Sequence, residues 1–336
     1  MENVMTVPSE NLDVIGIGNA IVDIISQCGD DFLHRHDIPK GGMRLIDAQD
    51  ATRLYGAMGP GIETSGGSAA NTIAGLAALG GKAGFIGKVQ QDELGRVFAH
   101  DLRSMGVYFA TPAVQSTAPT GRCLVLVTPD AQRSMSTFLG AGQELHPDDV
   151  DPKFIATAEI TYLEGYLWDP PHAKAAFRKA MGAARAAKRR VAMSLSDAFC
   201  VERHRTEFQE LVENGVDILF ANEAEIMSLY QCRTFDDALQ AARGKCPVMA
   251  LTRSEKGSVI LARDEVHVIE AVKPAQLLDT TGAGDLFAAG FLYGLTHGRN
   301  LAGSARIGAL VASEVIAHLG PRPQSDIRAL LQNSQY

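Results

Sequence analysis

Cysteine is scarce in this sequence, and what there is stands apart. Cys28, Cys123, Cys200, Cys232 and Cys246 make five, with no C-x-x-C pair and no Cys/His spacing that binds zinc. A disulfide framework and a structural zinc site are thereby excluded, and reduced thiols in a cytoplasmic protein are expected. Long apolar runs are also missing. No stretch approaches the ~18–20 residues that span a bilayer. Met1 to Leu12 lacks a basic start and an apolar core, so neither a signal peptide nor a membrane partner is expected. There is no excess of positive charge: 31 Lys and Arg stand against 39 Asp and Glu, a net charge of −8. Nucleic acid is therefore not an expected partner, because general binding to it rests on neutralising phosphates. The local basic runs Arg185–Arg190 and Arg203–Arg205 read as solvated helix ends. Internal repeats and low-complexity tracts are absent. So is a P-loop, G-x-x-x-x-G-K-[ST]. Gly16-Ile17-Gly18 follows a strand-like run, but the third glycine of a dinucleotide fingerprint would fall at Ile21.

What is present is an ordinary globular composition, 46% hydrophobic and 21% charged over 336 residues, enough to bury about three quarters of the unfolded surface. Short apolar runs at 13–18, 83–88, 159–163, 191–195, 216–221 and 247–252 read as buried strands. Helical periodicity lies between them, clearest at 69–79 and 172–187. Alternating β and α units predict a parallel sheet covered by helices on both faces. Two stretches break the rhythm. Residues 24–63 are rich in turns, and 117–139 carry alternating β-like segments, so both are expected to form a small β-rich lid. The large α/β domain then comprises 12–23, 64–116 and 140–330. A late antiparallel hairpin is expected around Arg263-Asp264.

The 33 glycines fall in clusters, and two clusters open helices. The block Asp279–Gly290 (DTTGAGDLFAAG) leads into an amphipathic helix ending near Gly298. A glycine turn at a helix start aims unpaired N–H groups and the positive dipole end at one point, which is an anion site. Asp285 in that site makes sense as a base, taking a proton from an attacking hydroxyl while the amides hold a phosphoryl group. Stabilising a helix N-terminus is the simpler reading of the same residue. The block Gly66–Asn71 (GGSAAN) also opens a helix, with bare backbone at Gly66 and Gly67 and an Asn71 amide able to meet a hydroxylated ligand.

These two blocks, in this order and spacing, resemble the signatures of the ribokinase (PfkB) family of carbohydrate and nucleoside kinases. The resemblance covers about residues 12–322. It implies a ribokinase-like three-layer α/β/α sandwich with a small β-rich lid, ATP as phosphoryl donor and Mg²⁺, with K⁺ as a further candidate cation near Asp279–Thr281. It also implies that Asp285 is the catalytic base and that Gly282, Ala283 and Gly284 form the anion hole. Asn222-Glu223-Ala224-Glu225 resembles the family's N-x-x-E motif, with Glu225 organising Mg²⁺ largely through water. Asn222, Thr252 and Thr281 would then meet the nucleotide. Ala309 and Ser313, in the stretch Ile307–Gly320, would lie beside its adenine. Ser254 stands where a glycine is common in the family.

Other stretches resemble the adenosine-phosphorylating members. Gly18-Asn19 to Asp23 resembles a G-N-x-x-x-D opening whose Asp grips sugar hydroxyls. Phe199 would flank a nucleobase, Arg133 would reach the phosphates from the lid, and Leu167 falls at a substrate-side strand end. The expected substrate contacts are thus Asp23, Gly66, Gly67, Asn71, Phe199, Leu167 and Arg133. The expected reaction is transfer from ATP to a nucleoside 5′-hydroxyl, adenosine first, by a monomer or homodimer. Other nucleosides (inosine, guanosine, cytidine) and sugars such as ribose or fructose remain open. So does a non-catalytic ligand-binding protein of the same fold.

Overall fold

The computed structural model describes residues 10–115, 118–130, 132–263 and 265–334. Fourteen strands lie among them: β1 (Leu12–Ile17), β2 (Ile21–Gln27), β3 (Met43–Leu45), β4 (Ile62–Gly66), β5 (Ala83–Ile86), β6 (Tyr108–Phe109), β7 (Thr120–Val127), β8 (Arg133–Gly140), β9 (Ala158–Glu164), β10 (Arg190–Ser194), β11 (Ile218–Asn222), β12 (Val248–Thr252), β13 (Ser258–Ala262) and β14 (Glu265–Ile269). Nine form the main sheet in the order β14-β13-β12-β11-β10-β9-β1-β5-β6. Neighbours from β12 to β6 run parallel, and β13 and β14 add an antiparallel edge.

Successive side chains of a strand point to opposite faces, and here both faces are buried. Ile15 and Ile17 of β1, Met193 of β10 and Leu219 of β11 enter one core with Trp168, Phe177 and Phe208. Val14, Ala192, Ile218 and Phe220 enter the other with Phe287 and Phe291. That is why these strands read as unbroken apolar runs. The helices Pro171–Ala186 and Ala198–Asn214 cover the first face, and Ser68–Ala78, Ala283–Thr296 and Leu301–Val315 the second. The expected three-layer sandwich and the late hairpin are both present, although Asp264 lies outside the described residues.

The other five strands form a second sheet, β3-β8-β7-β2-β4, over a small core of Ile24, Leu33, Leu54, Leu124 and Leu126. It begins earlier and ends later than the expected 24–63 and 117–139. β2 starts at Ile21, β4 runs to Gly66 and β8 to Gly140, while Thr117 lies outside the described residues. Asp23 and Gly66 therefore belong to this second sheet, where Asp23 pairs with Thr64 and Cys123. The apolar pattern runs on past Gly18-Asn19-Ala20 with little to mark the change of sheet. Residues 24–63 are also less β-rich than expected. They hold the helices Asp30–Arg35 and Ala48–Ala57, the latter capped by Asp47 accepting from Asp50 N–H.

Candidate active site

Ligands of open α/β sheets gather at the carboxyl ends of the parallel strands. Here that edge carries Asn19 after β1, Glu164 at the end of β9, Asn222 at the end of β11 and Thr252 at the end of β12. Two glycine-opened helices start at the same edge and meet. Ser68 Oγ donates to Asp285 Oδ1 at 2.6 Å, and Asn71 Nδ2 donates to Asp285 Oδ2 at 2.9 Å. Burial pushes the Asp285 carboxyl above the usual carboxylate range. Those two hydrogen bonds and the guanidinium groups of Arg133 and Arg322 pull it back.

Gly282 makes the turn before the second helix with a φ of 79°, a left-handed conformation that favours glycine. The first intrahelical bond runs from Leu286 N–H to Gly282 O. The amides of Ala283, Gly284 and Asp285 therefore have no acceptor within the helix, and only that of Ala283 finds Thr280 O, at 3.3 Å. The turn is braced from below. Asp279 is fully buried and accepts from Thr281 N–H, Thr281 Oγ1 and Gly320 N–H, so the carboxylate near the expected K⁺ position is already engaged. From the second sheet, Arg133 Nη1 donates to Thr280 O at 2.8 Å. Arg133 is thus fastened to the glycine turn.

Asp23 faces the same centre and is 5% exposed. Burial pushes its carboxyl up to about 7, opposed by Arg322 and reinforced by Asp285 and Asp279. Gly66 lies so close that an added Cβ would sit 2.2 Å from Asp23 Cγ. Any side chain at Gly66 would displace the carboxylate. Asn71 Oδ1 and Asn19 Oδ1 are buried without a hydrogen-bond partner. Buried acceptors of that kind suit a ligand that brings hydroxyl donors.

Glu164 holds this corner together. Its carboxylate accepts from Asn19 N–H and Nδ2 and from Ala69 N–H at 2.8 Å. It thereby ties β9, the β1–β2 link and the Ser68–Ala78 helix. Burial pushes its carboxyl up to about 7. Glu164→Gln would turn an N–H₂ toward at least one of these donors. The expected loss is about 1–3 kcal/mol of stability, the desolvation cost of an unmet buried donor. Thermal unfolding checks it, and an unchanged Tm would contradict it.

On the opposite flank Asn222 and Glu225 form a reciprocal cap. Asn222 N–H and Nδ2 donate to the Glu225 carboxylate, and Glu225 N–H donates back to Asn222 Oδ1. Burial pushes the Glu225 carboxyl up to about 7, with Asp197 and Asp285 adding to the rise. Thr252 lies beside Asn222 in register. Ser254 has a φ of 51°, so it adopts the left-handed conformation for which the family's glycine is suited.

The remaining expected residues lie on other elements. Leu167 is 1% exposed and packs in a core cluster with Trp168. Its short helical turn tucks both apolar side chains inward. Phe199 stands in the first turn of the helix that follows β10, 52% exposed, with the Arg203 guanidinium 4.3 Å from its ring centroid. Arg203 itself pairs with Asp169, so one expected solvated charge is held in place. Ala309 and Ser313 lie on the Leu301–Val315 helix, where Ser313 Oγ donates to Leu310 O. Ser68, Glu164 and Arg322 were not picked out in the sequence. Glu164 had one signal, a carboxylate directly after the strand-like run 159–163.

The model of the pfkB family carbohydrate kinases matches residues 60–328. The chain belongs to that family. It is similar to the adenosine kinase of Sinorhizobium meliloti, with 50% identity, a TM-score of 0.93 and coverage of 96% of this chain and 99% of that one. It is nearly as similar to a probable sugar kinase of Rhizobium etli, with 48% identity, the same TM-score and coverage of 96% and 98%. A 5-dehydro-2-deoxygluconokinase of Geobacillus kaustophilus is 26% identical over 263 residues, 75% of this chain and 78% of that protein. This pfkB chain is an ATP-dependent kinase of a nucleoside or sugar. No helix among the described residues is long and apolar enough to cross a membrane.

Proposed function

We propose that the chain transfers the γ-phosphoryl group of ATP to the 5′-hydroxyl of a nucleoside, and that adenosine, giving AMP, is its preferred acceptor. The observation that carries the chemistry is the Asp285 carboxylate, fixed by Ser68 and Asn71 at the start of a helix whose first amides lack intrahelical acceptors. Asp285 takes the acceptor's proton as the new O–P bond forms and the bond from the γ-phosphorus to the β–γ bridging oxygen breaks, with ADP as the leaving group. Gly282, Ala283 and Gly284 hold the transferring phosphoryl, where charge builds up. Asp23, with Asn71 Oδ1 and the bare backbone of Gly66 and Gly67, receives the ribose. Arg133 reaches in from the second sheet, which serves as the lid. Asn222, Thr252, Thr281, Ala309 and Ser313 line the nucleotide side. The full-length likeness to the Sinorhizobium enzyme supports adenosine, and the exposed Phe199 ring offers a face for its base.

Among the described residues no group of three or more His, Cys, Asp or Glu could cage a metal ion. Mg²⁺ does not need a cage, because it keeps its waters and leans on one or two carboxylates plus substrate phosphates. Glu225, a buried carboxylate in the first turn of the helix after β11 and held by Asn222, fits that arrangement. When bound, Mg²⁺ supplies charge neutralisation across the β- and γ-phosphates. Excess EDTA is expected to abolish turnover, and turnover that survives it would contradict this part of the reading.

Phe199→Ala tests the nucleoside assignment. Stacking on an aromatic face is worth about 1–3 kcal/mol per base. The variant is expected to lose about five- to a hundredfold in kcat/KM for adenosine and little for ribose, which has no base. Equal losses on both acceptors would remove Phe199 from the base site.

A further inference from the structure

After the Leu301–Val315 helix the chain returns to the cleft through Gly320, Pro321 and Arg322. Gly320 N–H donates to Asp279 Oδ2 at 2.9 Å. Pro321 lies against the glycine turn, where a Cβ on Gly282 would sit 2.8 Å from Pro321 Cα. Arg322 then reaches to the other helix start. Its Nε and Nη2 donate to Ser65 O at 3.2 and 2.7 Å, Nη2 also meets Ser65 Oγ at 3.1 Å, and Nη1 donates to Ala70 O at 2.8 Å. Ser65 precedes the Gly66-Gly67 turn and Ala70 follows it. One guanidinium therefore clamps that turn from both sides, next to the Asp23 carboxylate. Burial lowers the Arg322 pKa to about 10, with Asp23, Asp285 and Asp101 resisting, so it stays cationic at neutral pH.

We propose that Arg322 is a positioning residue for phosphoryl transfer: it fixes the acceptor-side turn Gly66-Gly67 relative to the phosphoryl-side turn Asp279–Gly282. The inference rests on the reading of Asp285 and Asp23 given above. The same three-residue segment touches both turns, so acceptor and phosphoryl sites share one brace. A planar fork suits acceptors spread over Ser65 and Ala70, and an ammonium does not. Misplacement by about 1 Å between reacting groups can reduce rate about 10²-fold.

The test compares Arg322→Met and Arg322→Lys with wild type in full-length protein, with adenosine and MgATP varied independently. If another acceptor is turned over better, the assay uses that one. Arg322→Met is expected to raise the acceptor KM and to lower acceptor kcat/KM by about 10- to 100-fold, with the ATP KM shifted less than about twofold. Arg322→Lys is expected to show the same split, because it keeps the charge and loses the fork. A merely structural role would lower the active fraction alone, so kcat would fall with both KM values unchanged. Wild-type acceptor KM in a folded Arg322→Lys overturns the proposal, whatever Arg322→Met shows, a failure to fold included. Asp285→Asn run in parallel separates the two readings. Full activity there sinks the site assignment itself, whereas an inactive Asp285→Asn beside an unaffected Arg322→Lys sinks only this inference.

Discussion

Asp285→Asn is expected to lower kcat by about 10²–10⁴, the usual worth of a positioned base, while the fold and ATP binding persist. The substitution is close to isosteric, and its surroundings can absorb it. Asn71 now donates through Nδ2 and leaves Oδ1 buried without a partner. The introduced amide can present its oxygen to Asn71 Nδ2 and its N–H₂ to the Ser68 hydroxyl oxygen, which accepts as well as donates, so Asn71 Oδ1 keeps its place toward the acceptor. The loss should therefore appear in kcat, with little change in Tm. Steady-state kinetics beside a thermal melt check this. Near-normal kcat would leave Asp285 only the simpler role of stabilising a helix N-terminus.

Asp23→Ala is expected to weaken nucleoside use by about 10²–10⁴ in kcat/KM while the KM for ATP stays close to wild type. Two hydrogen bonds from ribose hydroxyls to a carboxylate are worth about 1.5–3 kcal/mol each. Asp23→Asn is the companion variant, because it removes the same charge but keeps the side-chain volume and one acceptor oxygen, with Asp285 and Asp101 still facing the buried Arg322. The ionised form makes the grip, and burial pushes Asp23 up to about 7. Below that value the group is protonated and accepts fewer bonds. Acceptor kcat/KM is thus expected to rise with pH through about 7, and Asp23→Asn to flatten that rise. Arg322, Arg133, Asp285 and Asp279 all face the group, so the apparent value belongs to the cluster and not to one carboxyl. If the nucleoside and ATP constants move together in Asp23→Ala, the sugar grip is wrong.

The main sheet was legible because its strands are buried on both faces, so each is a short apolar run bounded by turns. The second sheet was less so. Ile21–Ile25 continues the apolar pattern across the switch between sheets, and the Ala48–Ala57 helix lies hidden between glycines. The glycine turns and Asp285 could be read because their chemistry is local in sequence. Their partners could not. Ser68 meets Asp285 across 217 positions, Glu164 meets Asn19 across 145, and Arg322 meets Ser65 across 257. No spacing rule connects such residues, and only the fold brings them together. An apolar side chain at a strand end, such as Leu167, can turn inward or toward a ligand with no local signal to choose, and its side chain packs in the core.

The most direct measurement is an acceptor panel with purified protein and MgATP: kcat/KM for adenosine, inosine, guanosine, cytidine, ribose and fructose under one set of conditions. Adenosine is predicted to have the highest kcat/KM, with AMP as the product. Ribose or fructose as the best acceptor, or no ATP consumption with any of them, would contradict the nucleoside kinase assignment.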